Sequence, residues 1–255
     1  TPYEWTNSFL TGFAHVNLSG VGCPDMGSLL LMATTGSLEP DYNKYGTGYS
    51  AEHAEPGYYA VRLDRYGISA ELTSTLRTGV SCFTFPAGES HVLLNLGEGL
   101  TNESGAFLRR KSETEIEGMK LLGNFCYDVP QAVYPIYFAL RVSKVPKRTG
   151  WWKHQRPMTA EAEWDQHAGR YKVYTKYGRE IAGDDIGAYF TYDTGEGESI
   201  EVRLAVSFVS TENAWQNMEA ETAKLSFAQL RERASSSWEK ELSRITVEGG
   251  TEEQR

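Results

Sequence analysis

The chain has 255 residues, enough to bury a substantial core in one large domain or two small ones. Its formal net charge of −9 argues against nucleic acid or an anionic membrane as a partner, because both are bound through basic surfaces. Aromatic residues make up 12% of the chain, a content typical of β-rich proteins, since aromatic side chains pack well on pleated surfaces. No apolar run approaches the ~18 residues of a membrane span.

The first conspicuous segment is the glycine-rich stretch HVNLSGVGCPDMGSLLLMATTG, residues 15–36. Glycines let a backbone turn sharply or let a ligand approach closely, and polar side chains on such a turn point at a partner more often than at a core. The stretch is therefore predicted to be a rigid loop that presents polar groups, followed by a strand.

Strand signals dominate the middle of the chain. Stretches such as 57–64, 91–96 and 134–143 are predicted as strands, and 68–85 reads as one strand with Leu76 on its apolar face. The charged stretch 143–169 has no clear period and is predicted as a long connection or hairpin tip, although it contains Trp151, Trp152 and Trp164. In 199–210, one face carries Ile200, Val202, Leu204, Val206 and Phe208, which predicts a half-buried antiparallel strand.

After Ser210 the hydrophobic period becomes helical. Ser226 and Gln229 form a candidate capping box. An apolar stripe follows at helical spacing and must pack against the sandwich or a neighbour: Leu230, Ala234, Trp238, Leu242 and Ile245. The predicted fold class is mainly β, with an antiparallel β-sandwich over 1–210 followed by a C-terminal helical linker over 211–255.

Motifs with a recognisable chemistry are scarce. The five histidines are scattered without metal-ligand spacing, and there is no phosphate-binding or dinucleotide-binding glycine motif, so no catalytic and no metal residues are predicted in this chain. Glu52, His53 and Glu55 lie close together before a strand. They are compatible with a general acid/base pair or, as the blander alternative, with a solvated loop that has no catalytic role.

The stretch from Gly12 to Gly36, GFAHVNLSGVGCPDMGSLLLMATTG, closely resembles the signature of glycoside hydrolase family 92. That signature reads like G-F-S-H-x-x-L-S-G-T-G-x-x-D-x-G, then an apolar strand that ends in L-M-P-T-T-G. Three later stretches also resemble the family, in order along the chain: AEPGYYAVRLDRYGISAELTSTLRTG, VRLAVSFVSTENAWQNMEAE and WEKELSRITVEGGTEEQR. Val21 stands where the signature has Thr, and Ala33 where it has Pro.

The resemblance implies a concrete function. Members of the family are mostly bacterial, secreted, exo-acting α-mannosidases that invert the anomeric centre and need calcium. They join an N-terminal β-sandwich to an (α/α)6 barrel that carries the catalytic carboxylates and most calcium ligands, with the active site between the two. The resemblance thus implies a secreted or periplasmic protein, calcium as cofactor, and mannose-containing glycans and the chain's own catalytic barrel as partners.

For this chain, the resemblance implies an N-terminal domain that helps to form the substrate pocket for terminal α-mannosides of N-glycans or mannans. The barrel is expected to begin beyond Arg255, so the chain alone is expected to be inactive. His15, Asn17 and Asp25 are expected to line the mannose pocket, with Cys23 and Trp5 nearby. Two alternatives stay open. In one, His15 and Asn17 only hold the loop together through backbone groups. In the other, the chain is a stand-alone carbohydrate-binding β-sandwich without catalysis.

Overall fold

The computed structural model describes residues 6–17, 26–100, 105–123, 133–155, 169–175, 178–246 and 248–251. The helices in this part of the chain are α1 Tyr42–Tyr45, α2 Thr211–Thr222 and α3 Phe227–Leu242. The strands are β1 Phe9–Leu10, β2 Phe13–His15, β3 Ser28–Thr35, β4 Thr47–Glu55, β5 Tyr58–Leu63, β6 Ile68–Ser74, β7 Thr78–Phe85, β8 Gly88–Asn95, β9 Ala106–Arg110, β10 Glu115–Gly123, β11 Val133–Val142, β12 Arg148–Gln155, β13 Arg170–Tyr174, β14 Glu180–Gly183, β15 Ile186–Thr194 and β16 Glu198–Ser207.

These strands form two antiparallel sheets. The larger has the order β1-β4-β5-β6-β7-β16-β11-β10-β9-β14, and the smaller has the order β13-β12-β15-β8-β3-β2. Apolar side chains from both sheets make one core, in which the rings of Phe13 and Phe83 lie 6.1 Å apart across the sandwich. The structure therefore confirms the predicted fold class, a mainly antiparallel β-sandwich followed by helices.

Strand β16 shows how the alternating pattern becomes a buried strand. Ile200, Val202 and Leu204 are 0% exposed and face the core, as predicted, whereas Phe208 lies just past the strand and is 53% exposed. The opposite face is not left to solvent, because Ala205 is also 0% exposed and packs in the small cluster beneath α2. The strand is thus buried on both faces in its C-terminal half.

The stretch 68–85 is a hairpin and not one strand, which corrects the sequence prediction. Strands β6 and β7 pair with each other, and the N–H of Thr75 donates to the carbonyl of Thr78, 2.9 Å away, across the turn. Leu76 sits at the tip and is 82% exposed. An apolar residue at strand spacing was therefore a misleading signal here.

The prediction of a connection over 143–169 is wrong for the part that forms β12. Trp151 and Trp152 are 1% and 0% exposed, so neighbouring residues on both faces of the strand are buried. The Arg110 guanidinium lies over the Trp151 ring, and the Trp152 ring packs directly against Gly187. A strand covered on both faces loses the polar alternation that reveals strands in a sequence. Trp164 lies outside the described residues.

Helix α2 lies on the outer face of the larger sheet. The small side chains of Ala139 and Ala205 leave room for Ala214, Trp215 and Met218 of the helix. The indole N–H of Trp215 donates to Oε2 of Glu117, 2.6 Å away. The guanidinium of Arg109 donates through Nε to Oε1 of the same carboxylate, 2.7 Å away. Glu117 is 6% exposed, so a nearly buried carboxylate holds helix and sheet together.

The C-terminal end of α2 is held as well. The Glu221 carboxylate accepts a hydrogen bond from the backbone N–H of Arg77 at 2.9 Å, which ties the helix to the β6–β7 turn. The Arg203 guanidinium donates to the carbonyls of Thr222 and Leu225 at 2.6 and 2.7 Å. The Thr222 carbonyl is among those that a helix end leaves without helical partners, and Leu225 lies in the link to α3, so Arg203 ties both the helix end and the link to the sheet.

Helix α3 begins with the predicted capping box, in which Ser226 and Gln229 satisfy each other's backbone N–H groups. Leu230 is 0% exposed against the sheet. The turn between β4 and β5 touches the helix backbone at Gly57, where φ is +87° and a side-chain carbon would overlap the main chain at Ala234. Only glycine meets both conditions without strain.

The apolar stripe of α3 is packed only at its N-terminal end. Trp238, Leu242 and Ile245 are 53%, 52% and 81% exposed. The predicted stripe is therefore present, but most of it has no cover from the described residues. No helix in the described part of the chain is long and apolar enough to cross a membrane.

The Trp215–Glu117 hydrogen bond yields a stability prediction. Trp215→Phe keeps an aromatic ring but removes the N–H donor, which leaves one oxygen of a nearly buried carboxylate without that partner. The free energy of unfolding is expected to fall by about 1.5–3 kcal/mol. Trp238→Phe makes the same change at an exposed site on α3 and is the matched control, with little expected effect. Urea unfolding measures both; equal midpoints for the two variants would contradict the role of the bond.

Candidate functional site

The candidate site is the end of the sandwich where the β2–β3 hairpin opens. Of the five residues predicted to contact the sugar, His15 and Asn17 lie at this mouth. The other three, Trp5, Cys23 and Asp25, lie outside the described residues. The described part of the chain resumes at Met26. The N–H of Gly27 donates to the carbonyl of Val16 at 3.0 Å, and we call residues 16–17 and 26–27, where the two strands of the hairpin lead into its loop, the hairpin mouth.

His15 points toward the other sheet. Its ring packs against Gly79 of β7 so closely that a side-chain carbon at Gly79 would overlap Nε2. Burial lowers the pKa of His15 from 6.5 to about 4, so the ring is neutral at pH 7. Nδ1 therefore carries the proton that it donates to the carbonyl of Leu29, 2.9 Å away. This hydrogen bond is the one expected from the alternative in which His15 holds the loop together through a backbone group.

Asn17 is exposed at the hairpin mouth. Its Nδ2 donates to the carbonyl of Ala14 over a long 3.4 Å, and its Oδ1 lies beside Gly27. A long hydrogen bond at an exposed site is weak, so the amide is available to exchange it for a ligand hydroxyl. Of the two described candidates, Asn17 is the more exposed.

Backbone strain is concentrated at this hairpin. Val16, Met26 and Leu29 have φ of 57°, 58° and 56°, a left-handed conformation that side chains disfavour, and Gly27 lies between them at 58°. Such residues cost roughly 1–3 kcal/mol each and persist only where the surroundings hold them, often at binding and catalytic sites. The strain marks the hairpin as a candidate functional element independently of the sequence signature.

A polar cluster lies along the same edge of the smaller sheet. The Asp185 carboxylate accepts a hydrogen bond from the Tyr171 hydroxyl at 2.9 Å, and its Oδ2 lies 3.2 Å from His154 Nδ1, at ion-pair distance. The His154 and Tyr171 rings stack 4.6 Å apart. Burial, with the nearby Asp185 charge, raises the pKa of Tyr171, so its hydroxyl keeps its proton. Sequence analysis missed this cluster because its members come from three separate segments.

Strand pairing places the cluster at the hairpin end. Asn95 pairs with Leu30 of β3 on one side and with Gly187 of β15 on the other, and Gly187 pairs with Trp152 of β12. His15 pairs with Ser28 at the start of β3. The ends of β2, β8 and β12 and the starts of β3 and β15 therefore lie at one end of the smaller sheet. The hairpin mouth and the polar cluster therefore belong to the same end of the sandwich.

The second candidate from the sequence, around His53, lies on exposed β4. Glu55 accepts a hydrogen bond from the Arg231 guanidinium of α3 at 2.7 Å and lies 3.5 Å from His53 Nε2. The hydrogen bond from Arg231 lowers the pKa of Glu55, whereas a general acid needs a raised one. The geometry favours an ion pair between hairpin and helix over proton transfer.

Metal binding has no candidate in the described ranges. No group of three or more His, Cys, Asp or Glu side chains is arranged there to hold an ion.

His15 predicts a pH dependence of stability. Because its folded pKa of about 4 lies below the ordinary 6.5, the unfolded chain takes up the proton first. The stability is therefore fully present above pH 6.5 and is lost as the pH falls toward 4. His15→Asn, which keeps a donor for Leu29, is expected to reduce this acid loss by about 1–2 kcal/mol.

Denaturant unfolding at neutral and at acidic pH measures this difference. The wild-type loss also contains a contribution of the same sign from His91, whose pKa is lowered by burial. His53→Asn, at a side chain that is 60% exposed, is the control and should follow the wild type. An acid loss in His15→Asn as large as in the wild type would refute the assignment.

Comparison with known proteins identifies the parts of the chain. Residues 1–207 match the model of the glycosyl hydrolase family 92 N-terminal domain, and residues 213–255 match the model of the family 92 catalytic domain. The sequence resemblance placed the start of the barrel beyond Arg255, and the match to the catalytic-domain model covers residues 213–255, which include most of α2 and all of α3. None of the curated protein sequences compared with this chain matches it.

Solved structures agree in fold. The family GH92 α-mannosidase BT3965 from Bacteroides thetaiotaomicron, in complex with mannoimidazole, is 30% identical with a TM-score of 0.81; the match covers 97% of this chain and 32% of that one. The same enzyme without that ligand gives a TM-score of 0.82, with 30% identity and coverage of 97% and 33%. The family glycosyl hydrolase ccman5 shares the fold at 24% identity and a TM-score of 0.78, over 98% and 32% of the two chains.

The chain spans about a third of the length of these relatives. The match to the N-terminal domain covers most of this chain, and the fold of BT3965 agrees with this chain over 97% of its length. The glycine-rich signature, the two sheets and the helices after β16 thus have one common explanation: the chain belongs to glycosyl hydrolase family 92.

Proposed function

We propose that this chain forms the N-terminal sandwich and the first part of the catalytic domain of an exo-acting α-mannosidase that is secreted or periplasmic. The observation that carries the proposal is the 30% identity, over 97% of this chain, with a family 92 enzyme solved with mannoimidazole. In this function the sandwich lends one wall to the pocket for a terminal α-mannose of an N-glycan or mannan. A stand-alone carbohydrate-binding module is disfavoured because the helices match the catalytic-domain model.

The exposed side of α3 supports this role. Trp238 and Leu242 on α3 and Ile245 just after its end form an apolar stripe in the region that matches the catalytic-domain model. Stripes of this kind are normally buried against another element. We propose that the rest of the (α/α)6 barrel covers it, which would place the barrel beside the sandwich.

The hairpin residues have distinct proposed roles. Sugar hydroxyls both donate and accept hydrogen bonds, and the exposed Asn17 amide offers both functions. His15, Asp25, Cys23 and Trp5 complete the proposed sugar wall. His15 also holds the strained strand end through the Leu29 carbonyl.

The chemistry of hydrolysis is proposed to lie in the barrel. Inversion needs a general acid and a general base with carboxyl groups about 6.5–9.5 Å apart, so that water attacks the face opposite the leaving group. We propose that the barrel supplies these carboxylates and the calcium ligands, and that the residues of this chain bind and orient the sugar.

Activity of the enzyme that joins this chain to a complete catalytic domain tests the function. Hydrolysis of 4-nitrophenyl α-mannoside is expected, with little hydrolysis of the β-mannoside or the α-glucoside. A calcium chelator should abolish it, and added calcium should restore it. The 255-residue chain alone is expected to be inactive. Hydrolysis of the α-glucoside only, or turnover by this chain alone, would contradict the proposal.

Asn17→Ala tests the proposed sugar contact in the same enzyme. Losing one hydrogen bond to the sugar should lower kcat/KM about tenfold, which corresponds to ~1.4 kcal/mol. The melting temperature should stay unchanged, since the Asn17 side chain is exposed and weakly bonded. Asn213→Ala removes a similar amide from the surface of α2, where it bonds only to Gln216, and should change neither quantity. A lower melting temperature with unchanged kcat/KM would show that Asn17 is structural.

A further inference from the structure

We propose that Asp185 is a positioning residue for the substrate end of the sandwich: it fixes the turn from Leu96 to Leu100 against the mouth of the β2–β3 hairpin. The inference rests on the proposed function, because it takes the hairpin mouth as part of the sugar pocket. Asp185 is not itself assigned a contact with the sugar.

The first step is the contact between Asp185 and the turn. Gly97 approaches the Asp185 carboxylate so closely that a side-chain carbon at Gly97 would overlap Oδ1. The same turn is shaped by Asn95, which is 0% exposed and whose Oδ1 accepts hydrogen bonds from the N–H groups of Gly97 and Glu98 at 2.7 and 3.3 Å. The turn is therefore hydrogen-bonded to the Asn95 amide on one side and packed against the Asp185 carboxylate on the other.

The second step runs from the turn to the hairpin. The N–H of Leu100 donates to the carbonyl of Met26 at 3.1 Å. The Leu100 side chain fills the space beside Gly27, where a side-chain carbon would overlap it. Gly27 also borders Oδ1 of Asn17. A continuous path of contacts thus joins Asp185, the turn, the strained hairpin mouth and the exposed Asn17 amide.

The third step is that Asp185 is itself fixed. Its side chain is 12% exposed, and the 4%-exposed His154 ring lies beside it. The Tyr171 hydroxyl donates to Oδ2, which leaves Oδ1 directed at Gly97. Desolvating a carboxylate is expensive, and an apolar residue of similar volume is often at least as stabilising. A buried carboxylate at a strand end is therefore better explained by the geometry that it imposes than by stability.

Hydrogen exchange on this chain tests the holding contact. Asp185→Ala is expected to speed exchange of the Gly97, Leu100 and Gly27 amides by about tenfold while β7 and β16 stay protected. Asp185→Asn keeps an oxygen acceptor and should stay near the wild type. Asp193→Ala removes a 63%-exposed carboxylate from the other end of β15 and is the matched control. Gly97→Ala keeps every side chain of the cluster but adds a carbon that overlaps Asp185 Oδ1, so it forces the turn and the carboxylate apart. It replaces Asp185→Ala if that variant does not fold, and it should give the same pattern.

Kinetics of the enzyme with the complete catalytic domain test the consequence. Asp185→Ala and Gly97→Ala should each raise KM for the aryl α-mannoside about fivefold or more, with kcat within about twofold of the wild type, because the pocket wall is displaced and the catalytic groups are not. Asp185→Asn should restore KM. An unchanged KM, or unchanged exchange at Leu100 and Gly27, overturns the proposed role of Asp185 but not the proposed function. An inactive wild-type enzyme overturns the proposed function instead.

Discussion

The position of the helices on the sandwich depends on the hydrogen bonds that the nearly buried Glu117 carboxylate accepts. Arg109 on β9 and Trp215 on α2 both donate to it, so one side chain joins the sheet to the first helix after the sandwich. A carboxylate in such a position is stable only while its donors stay in place. The helix is therefore bound to the sheet by a directional contact as well as by packing, and its orientation fixes where the following helix begins.

The candidate site is built from strand ends and not from one motif. The hairpin mouth owes its shape to backbone strain at Val16 and Leu29, which the His15 hydrogen bond and the Leu100 contact keep in place. Rigid strands bring these groups together at one end of the smaller sheet. This rigidity agrees with the proposed function, in which the sandwich orients a sugar for chemistry done in the barrel.

Much of this architecture could be predicted from the sequence. The alternation of Ile200, Val202 and Leu204 predicted β16 because one face of that strand meets the core, and the capping box at Ser226 predicted the start of α3. The paired tryptophans of β12 gave no such signal, since both of its faces are buried. The signature segment directed attention to His15 and Asn17, but the cluster around Asp185 depends on which strands are neighbours, and no local pattern encodes strand order.

The close approach of Gly57 to the backbone of α3 also bears on how such proteins can evolve. The partners Glu55 and Arg231 are separated by 176 positions, yet hairpin and helix fit only as a matched pair. An exchange of gene segments between relatives at the boundary near residue 210 would combine a hairpin with a foreign helix and lose both the glycine contact and the ion pair. A crossover after residue 242 would keep them, so recombination that preserves function is expected to carry α2 and α3 along with the sandwich.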